Sequence, residues 1–132
     1  MSQIFVDSSA WFIVYDKRSE RHQAASKLLR ETADLLITSN LVFAETLSLM
    51  TKRLGKSAAL EFGLNIRSSG KVRVIHLDAA MEESAWTYFE RYRDKSWDFI
   101  DCSSFALMDA LKLSRAFTFD SHFAQKGFQV LP

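Results

Sequence analysis

Short runs of apolar, β-forming residues recur along the chain with helix-length stretches between them, and this alternation constrains the fold more than any other feature. Ile4-Phe5-Val6, Leu35-Leu36-Ile37-Thr38, residues 72–77 and Ala116-Phe117-Thr118-Phe119 read as strands, and Gln129-Val130-Leu131 adds a short edge candidate after Gly127. Between the first four lie six helical stretches, and Ser121 to Lys126 offers a short seventh before the edge candidate. Ser8-Ser9 caps one running through residues 10–14. A second covers about residues 20–33, with Ala24, Ala25, Leu28 and Leu29 on its inner face. Ser39 or Asn40 caps a third, whose apolar side holds Leu41, Ala44, Leu47, Ser48 and Met50 and which Gly55 ends. A fourth carries Ala58, Leu60, Phe62, Leu64 and Ile66 to a break at Ser68-Ser69-Gly70. Asp78 caps a fifth, bearing Met81, Ala85, Trp86, Tyr88, Phe89 and Tyr92, and a sixth starts near Asp98 and packs Phe105, Ala106, Met108 and Leu111.

Strands that alternate with helices predict an α/β fold: a central, mostly parallel sheet of four to five strands, flanked by helices on both faces. The 132 residues suit one domain over residues 1–132. Eleven Phe and a hydrophobic content of 48% supply a core, whereas 4 Gly and 1 Pro are too few for an all-β fold of many tight turns. The opening residues, Met1 to Asp7, lack the basic start of a signal peptide, and the apolar run at residues 10–15 is far below the ~18 residues that span a bilayer. No membrane role and a cytoplasmic location are the expectation. Cys102 stands alone, which excludes an internal disulfide and a cysteine-rich zinc site.

Chemistry concentrates on four acids. Asp7 and Asp120 stand where an apolar strand stops, and in open parallel sheets ligand sites lie beyond the carboxyl ends of the strands. Glu45 and Asp101 interrupt otherwise apolar helical surroundings. Carboxylates meeting at one rim repel unless a cation neutralises them, and hard oxygen donors without a His or Cys cluster select Mg²⁺ or Mn²⁺. Such a centre activates water against a phosphodiester. Each acid also has a plainer role open to it. Asp7 and Asp120 each precede a helix they could cap, Asp98 and Asp101 form Asp-x-x-Asp at a helix start, and Glu45 could lie on an exposed edge.

In order and spacing the whole chain resembles the PIN-domain family, and within it the VapC-like toxin ribonucleases. The resemblance is carried by Val6-Asp7-Ser8-Ser9-Ala10-Trp11, by Asp16 with His22 and Ala24-Ala25, and by residues 38–46 around Glu45. It continues through residues 99–108 around Asp101, Phe117-Thr118-Phe119-Asp120-Ser121-His122-Phe123, and Gly127-Phe128. The resemblance implies a metal-dependent endoribonuclease, the toxin of a toxin–antitoxin pair, that hydrolyses RNA at a Mg²⁺ or Mn²⁺ site made by Asp7, Glu45, Asp101 and Asp120. Asp7 and Asp101 are then the main metal ligands, Glu45 holds the metal or orients water, and Asp120 completes the site. Thr118 matches the family's hydroxyl position before the last acid and would hydrogen-bond a ligand carboxylate. Asp98 falls where relatives often carry Ser or Thr and stays outside the core set. Implied partners are a tRNA or rRNA substrate, a VapB-like antitoxin and a second copy in a homodimer.

The net charge of +1 offers no general attraction for nucleic acid, so RNA would be held by local cations. Candidates are Lys52, Arg53 and Lys56; Arg67, Lys71 and Arg73; and Arg91, Arg93 and Lys95, each also explicable as a solvated helix surface. His22, His76 and His122 are too scattered to be a metal cluster; His122, two residues past Asp120, would touch an RNA phosphate or a water near the site, or simply pack at a helix start. Trp11 and Trp97, next to acids, are either core or base-stacking residues. Three other functions compete: an aspartyl-phosphate phosphatase, which usually has a second Asp where this chain has Ser9; a non-catalytic binding module; and a housekeeping RNA-processing nuclease of the same fold.

Overall fold

The computed structural model describes residues 2–132. The order along the chain is β1 (Gln3–Val6), α1 (Ser8–Tyr15), α2 (His22–Glu31), β2 (Leu35–Ser39), α3 (Asn40–Arg53), α4 (Lys56–Ser68), β3 (Val72–Ile75), α5 (Ala79–Arg91), α6 (Phe99–Ala110), β4 (Arg115–Phe117), α7 (His122–Lys126) and β5 (Gln129–Leu131). All strands pair in parallel in one sheet of order β3-β2-β1-β4-β5. The expected architecture is therefore the observed one, at the upper end of the expected strand count.

The order reverses at β1. The chain builds outward through β2 and β3 on one side, then returns to lay β4 and β5 on the other. Val6 pairs with Phe117 at this switch point, so Asp7 and Thr118 emerge side by side at the carboxyl rim. Ligands bind open α/β sheets in such crevices.

The central strands are buried on both faces, as parallel strands under helices must be. On one face Phe5, Phe105 and Phe123 pack together, with ring centroids 6.0 Å apart for Phe5–Phe123 and 5.1 Å for Phe105–Phe123. On the other, Trp11, Tyr15 and Phe43 each meet Phe62 at 5.7 Å. α6 is the most deeply embedded helix, buried from Asp101 to Met108. Trp11 and Trp97 belong to this core, their indole N–H groups donating to Thr38 Oγ1 and Gln125 Oε1. Cys102 is wholly buried beside Asp101, and burial pushes its thiol up to about 11.

Several local expectations shift. β3 stops at Ile75 rather than residue 77, because its neighbour β2 ends at Ser39 and the Leu77 N–H turns to the Asn40 side chain. β4 stops at Phe117 rather than residue 119, because the Phe119 N–H goes to Ser9 Oγ and the Asp120 N–H to Thr118 Oγ1. α2 starts at His22 because Asp16 and Ser19 hold the preceding residues in turns. Ala24, Ala44 and Ser48 are exposed; Ala25, Val42, Thr46 and Met50 are the buried positions of their helices. Leu60, Leu64, Trp86 and Phe89 also face outward instead of joining the core. Among the described residues, no helix is long and apolar enough to cross a membrane.

Candidate active site

The carboxyl rim gathers all four acids. Asp7 leaves β1 and lies just before α1, but its side chain makes no cap bond to that helix. Its Oδ2 instead accepts from Ser9 Oγ at 3.1 Å and from Thr118 Oγ1 at 3.0 Å, two hydroxyls themselves 3.2 Å apart. Each hydroxyl in turn accepts a backbone N–H, Ser9 from Phe119 and Thr118 from Asp120. The hydroxyl protons are thereby aimed at Asp7. Even so, burial pushes the Asp7 carboxyl up to about 7, against the lowering effect of the Ser8 N–H and both hydroxyls, and the charge of Asp101 pushes the same way as burial.

Asp101 sits in the first turn of α6, inside a capping box. Asp98 Oδ1 accepts the Asp101 N–H at 2.8 Å, and Asp101 Oδ2 accepts the Asp98 N–H at 3.2 Å. Burial, followed by the charge of Asp98, pushes Asp101 up to about 6, with Asp120 adding to the effect. Glu45, half-buried in mid-α3, is raised by burial and by the charges of Asp98 and Asp120, while the Ser8 side chain draws it down. Asp98 is thus a helix cap and a neighbour of the site at once, although the sequence gives reason only for the cap.

His122, expected to touch a phosphate or a water or to pack at a helix start, reaches the acids themselves. Its Nδ1 is 2.7 Å from Asp101 Oδ2 and 3.2 Å from Asp120 Oδ1, so the first turn of α7 brings an imidazole into the acids. The position two residues past Asp120 was the only signal. Among the described residues, Asp101, Asp120 and His122 form the one group of potential ligands whose donor atoms all lie within 4.8 Å. Asp7 and Glu45 border this group through their charges rather than belonging to it. Among the described residues, no Lys or Arg forms an ion pair with any of the four acids.

Arg21 is a neighbour of the site that no motif in the sequence marks. Its guanidinium carbon lies over the Phe119 ring, 5.3 Å from the centroid, in a cleft it shares with Thr118, Asp120 and Ser121. It belongs to the turn before α2, far from the clusters singled out by charge alone. Of those clusters, Lys52, Arg53, Lys56, Arg67, Arg73, Arg91, Arg93 and Lys95 are exposed. His22 is occupied elsewhere, with Nδ1 3.0 Å from the Ile13 carbonyl.

The donor set is mostly hard oxygen, compressed and short of positive charge, and it fits a divalent cation. A PIN domain model matches residues 4–129, nearly the whole sheet and every element that carries an acid. The chain belongs to the PIN-domain family. Among the relatives of this PIN domain is the 23S rRNA-specific endonuclease VapC20 of Mycobacterium tuberculosis, 37% identical over 125 residues that cover 95% of each chain. Ribonuclease VapC26 of the same organism is 28% identical over 122 residues, 92% of this chain and 90% of its own. The crystal structure of Mycobacterium tuberculosis VapC20, a Sarcin-Ricin loop cleaving toxin, superposes with a TM-score of 0.91 at 36% identity, covering 98% of this chain and 99% of the other. FitAcB from Neisseria gonorrhoeae shares the fold, with a TM-score of 0.67 at 16% identity over 98% and 96% of the two chains.

Proposed function

We propose that this PIN domain is a Mg²⁺- or Mn²⁺-dependent endoribonuclease, the toxin of a toxin–antitoxin pair, and that its substrate is 23S rRNA. The observation that carries the reading is the convergence of Asp7, Glu45, Asp101 and Asp120 on one rim, with three of them raised in proton affinity and, among the described residues, none paired with a Lys or Arg. Identity to VapC20 over 95% of both chains supports the choice of substrate. The reading takes residues 1–132 as one domain at work in the cytoplasm.

Asp7, Asp101, Glu45 and Asp120 would hold the ion. When bound, it supplies a nucleophilic water at neutral pH and stabilises charge on the phosphate being cut. The chain's own groups prepare the geometry. Ser9 and Thr118 fix one oxygen of Asp7, and the Asp98 capping box fixes Asp101. Arg21, its guanidinium carbon over the Phe119 ring, would take a phosphate oxygen of the RNA beside Asp120. Attack in line leaves 5′-phosphate and 3′-hydroxyl ends, with no covalent enzyme intermediate.

Two protein partners complete the proposal. A homodimer would cover the outward apolar face of α4, where Leu60 and Leu64 border a groove with Phe43 and Leu47. A VapB-like antitoxin would lay a segment into the active-site groove. Light scattering on the free protein tests the dimer.

The substrate test is primer extension across 23S rRNA after incubating the protein with ribosomes and with naked total RNA. One discrete, metal-dependent stop supports the reading. Scattered stops in every RNA would remove the 23S assignment and leave a general nuclease. Intact RNA throughout, alongside measurable RNA binding, would favour the non-catalytic module.

A further inference from the structure

Four carboxylates account for a centre built of oxygen, but they do not account for an imidazole placed among them. His122 is anchored at three points. Its Nδ1 lies 2.7 Å from Asp101 Oδ2 and 3.2 Å from Asp120 Oδ1. Its Nε2 is 3.3 Å from Ser96 Oγ. Its backbone N–H donates to Asp120 Oδ1 at 2.9 Å, tying the ring and that acid to the same turn.

Only the Asp101 contact has hydrogen-bond geometry, so hydrogen bonding accounts for one of the two short separations and leaves the one to Asp120 without a partner role. Nδ1 here faces two carboxylate oxygens from separate elements, α6 and the loop after β4. Donors bound at right angles, about 2.1 Å from a shared ion, stand about 3 Å apart, and the two measured separations bracket that spacing. The far nitrogen has the polar partner that a ligating histidine characteristically uses to fix its ring and tautomer.

We propose that His122 is a metal ligand through Nδ1, completing a face with Asp101 and Asp120, and that this nitrogen gives the centre a preference for Mn²⁺ over Mg²⁺. The inference rests on the metal-centre reading above. Nδ1 binds as the neutral imidazole, with the remaining ring proton on Nε2 donated to Ser96 Oγ. A nitrogen donor favours a transition-metal ion, whereas Mg²⁺ holds to oxygen and water.

The test measures Mn²⁺ and Mg²⁺ affinity by calorimetry for the whole chain, His122→Ala and His122→Asn, with pulsed EPR on the Mn²⁺-loaded proteins. His122→Asn keeps a side-chain amide beside Asp101, so it guards against loss of α7 and rescues a role that is only positional. The expected result is nitrogen hyperfine coupling to bound Mn²⁺ in the wild type and in neither variant. Mn²⁺ affinity should fall about tenfold or more in both, with a smaller change for Mg²⁺. Bound Mn²⁺ without nitrogen coupling in the wild type, or a wild-type ion preference retained by His122→Asn, would overturn the inference while leaving the metal centre standing. A wild-type chain that binds neither ion would overturn the metal-centre reading as well.

Discussion

The two rims of the sheet treat carboxylates in opposite ways. At the amino rim, Asp34 stands just before β2 and meets Arg115 at the start of β4, with guanidinium to carboxylate 2.8 Å apart. That partner holds the Asp34 carboxyl below its usual range. At the carboxyl rim, Asp7, Glu45 and Asp101 are all raised, each chiefly by burial and further by neighbouring charge, from Asp101 on Asp7 and from Asp98 and Asp120 on the other two. One rim is electrostatically satisfied by the chain itself; the other has its charge balance left open. A protein that keeps an uncompensated cluster at the switch point of its sheet sacrifices stability there for binding and catalysis.

The sharpest way to break this contrast is to remove a rim charge. Asp101→Asn should lower RNA cleavage by at least about a hundredfold, since even outer-shell partners of a metal cost 10–100-fold, and leave the circular dichroism spectrum unchanged. Thr118→Val removes one of the hydroxyls that aim at Asp7. It should cost roughly 10–100-fold in metal affinity, read by calorimetry, because Asp7 then holds its proton more tightly.

The contrast also fixes the sign of the pH dependence. A carboxyl raised in the folded state binds more protons there than in the unfolded chain, so its stability contribution is complete below about pH 4 and is lost as pH rises through its folded value. For Asp7 and Asp101 that window runs from about 4 to about 7 and 6. The metal-free protein should lose on the order of 4 kcal/mol at Asp7 alone, and its Tm in EDTA should be on the order of 10 °C lower at pH 8 than at pH 4. Mg²⁺ or Mn²⁺ should recover much of that loss at pH 8, and Asp7→Asn should flatten the profile. Asp34 has the reverse sign: its pairing is complete above its ordinary value near 3.8 and fades as pH falls below it. Asp34→Asn should therefore lower Tm modestly at neutral pH and leave the window from pH 4 to 7 unchanged, as differential scanning fluorimetry can check.

What the sequence revealed divides along locality. The existence and order of strands and helices and the Asp98 cap depend on neighbours within a few residues and lie where periodicity and cap chemistry put them, while strand ends and the starts of α1 and α2 shift by about two residues. Helix faces are less legible: α3 buries Met50 as expected, but with Val42 and Thr46 in place of the Ala44 and Ser48 that the apolar pattern suggests. Leu60 and Leu64 are apolar yet exposed, because sequence pattern does not distinguish a core face from an uncovered one. At the site, strand-end logic and family resemblance named the acids and Thr118. The Ser9–Thr118 contact, 109 positions apart, is set only by pairing β1 with β4. The contact of His122 with Asp101 and the place of Arg21 beside Asp120 likewise cross the fold, whereas the nearness of His122 to Asp120 is local and legible along the chain.

The central claim is that the carboxyl rim, and not the amino rim, is a metal centre that cuts RNA. The most direct measurement incubates total cellular RNA with wild type, Asp7→Asn and Asp34→Asn, each with Mg²⁺, Mn²⁺ or EDTA. Discrete cleavage by wild type and Asp34→Asn, absent in EDTA and absent in Asp7→Asn, is the predicted result. Cleavage by Asp7→Asn at the wild-type rate, or cleavage that persists in EDTA, would contradict the claim.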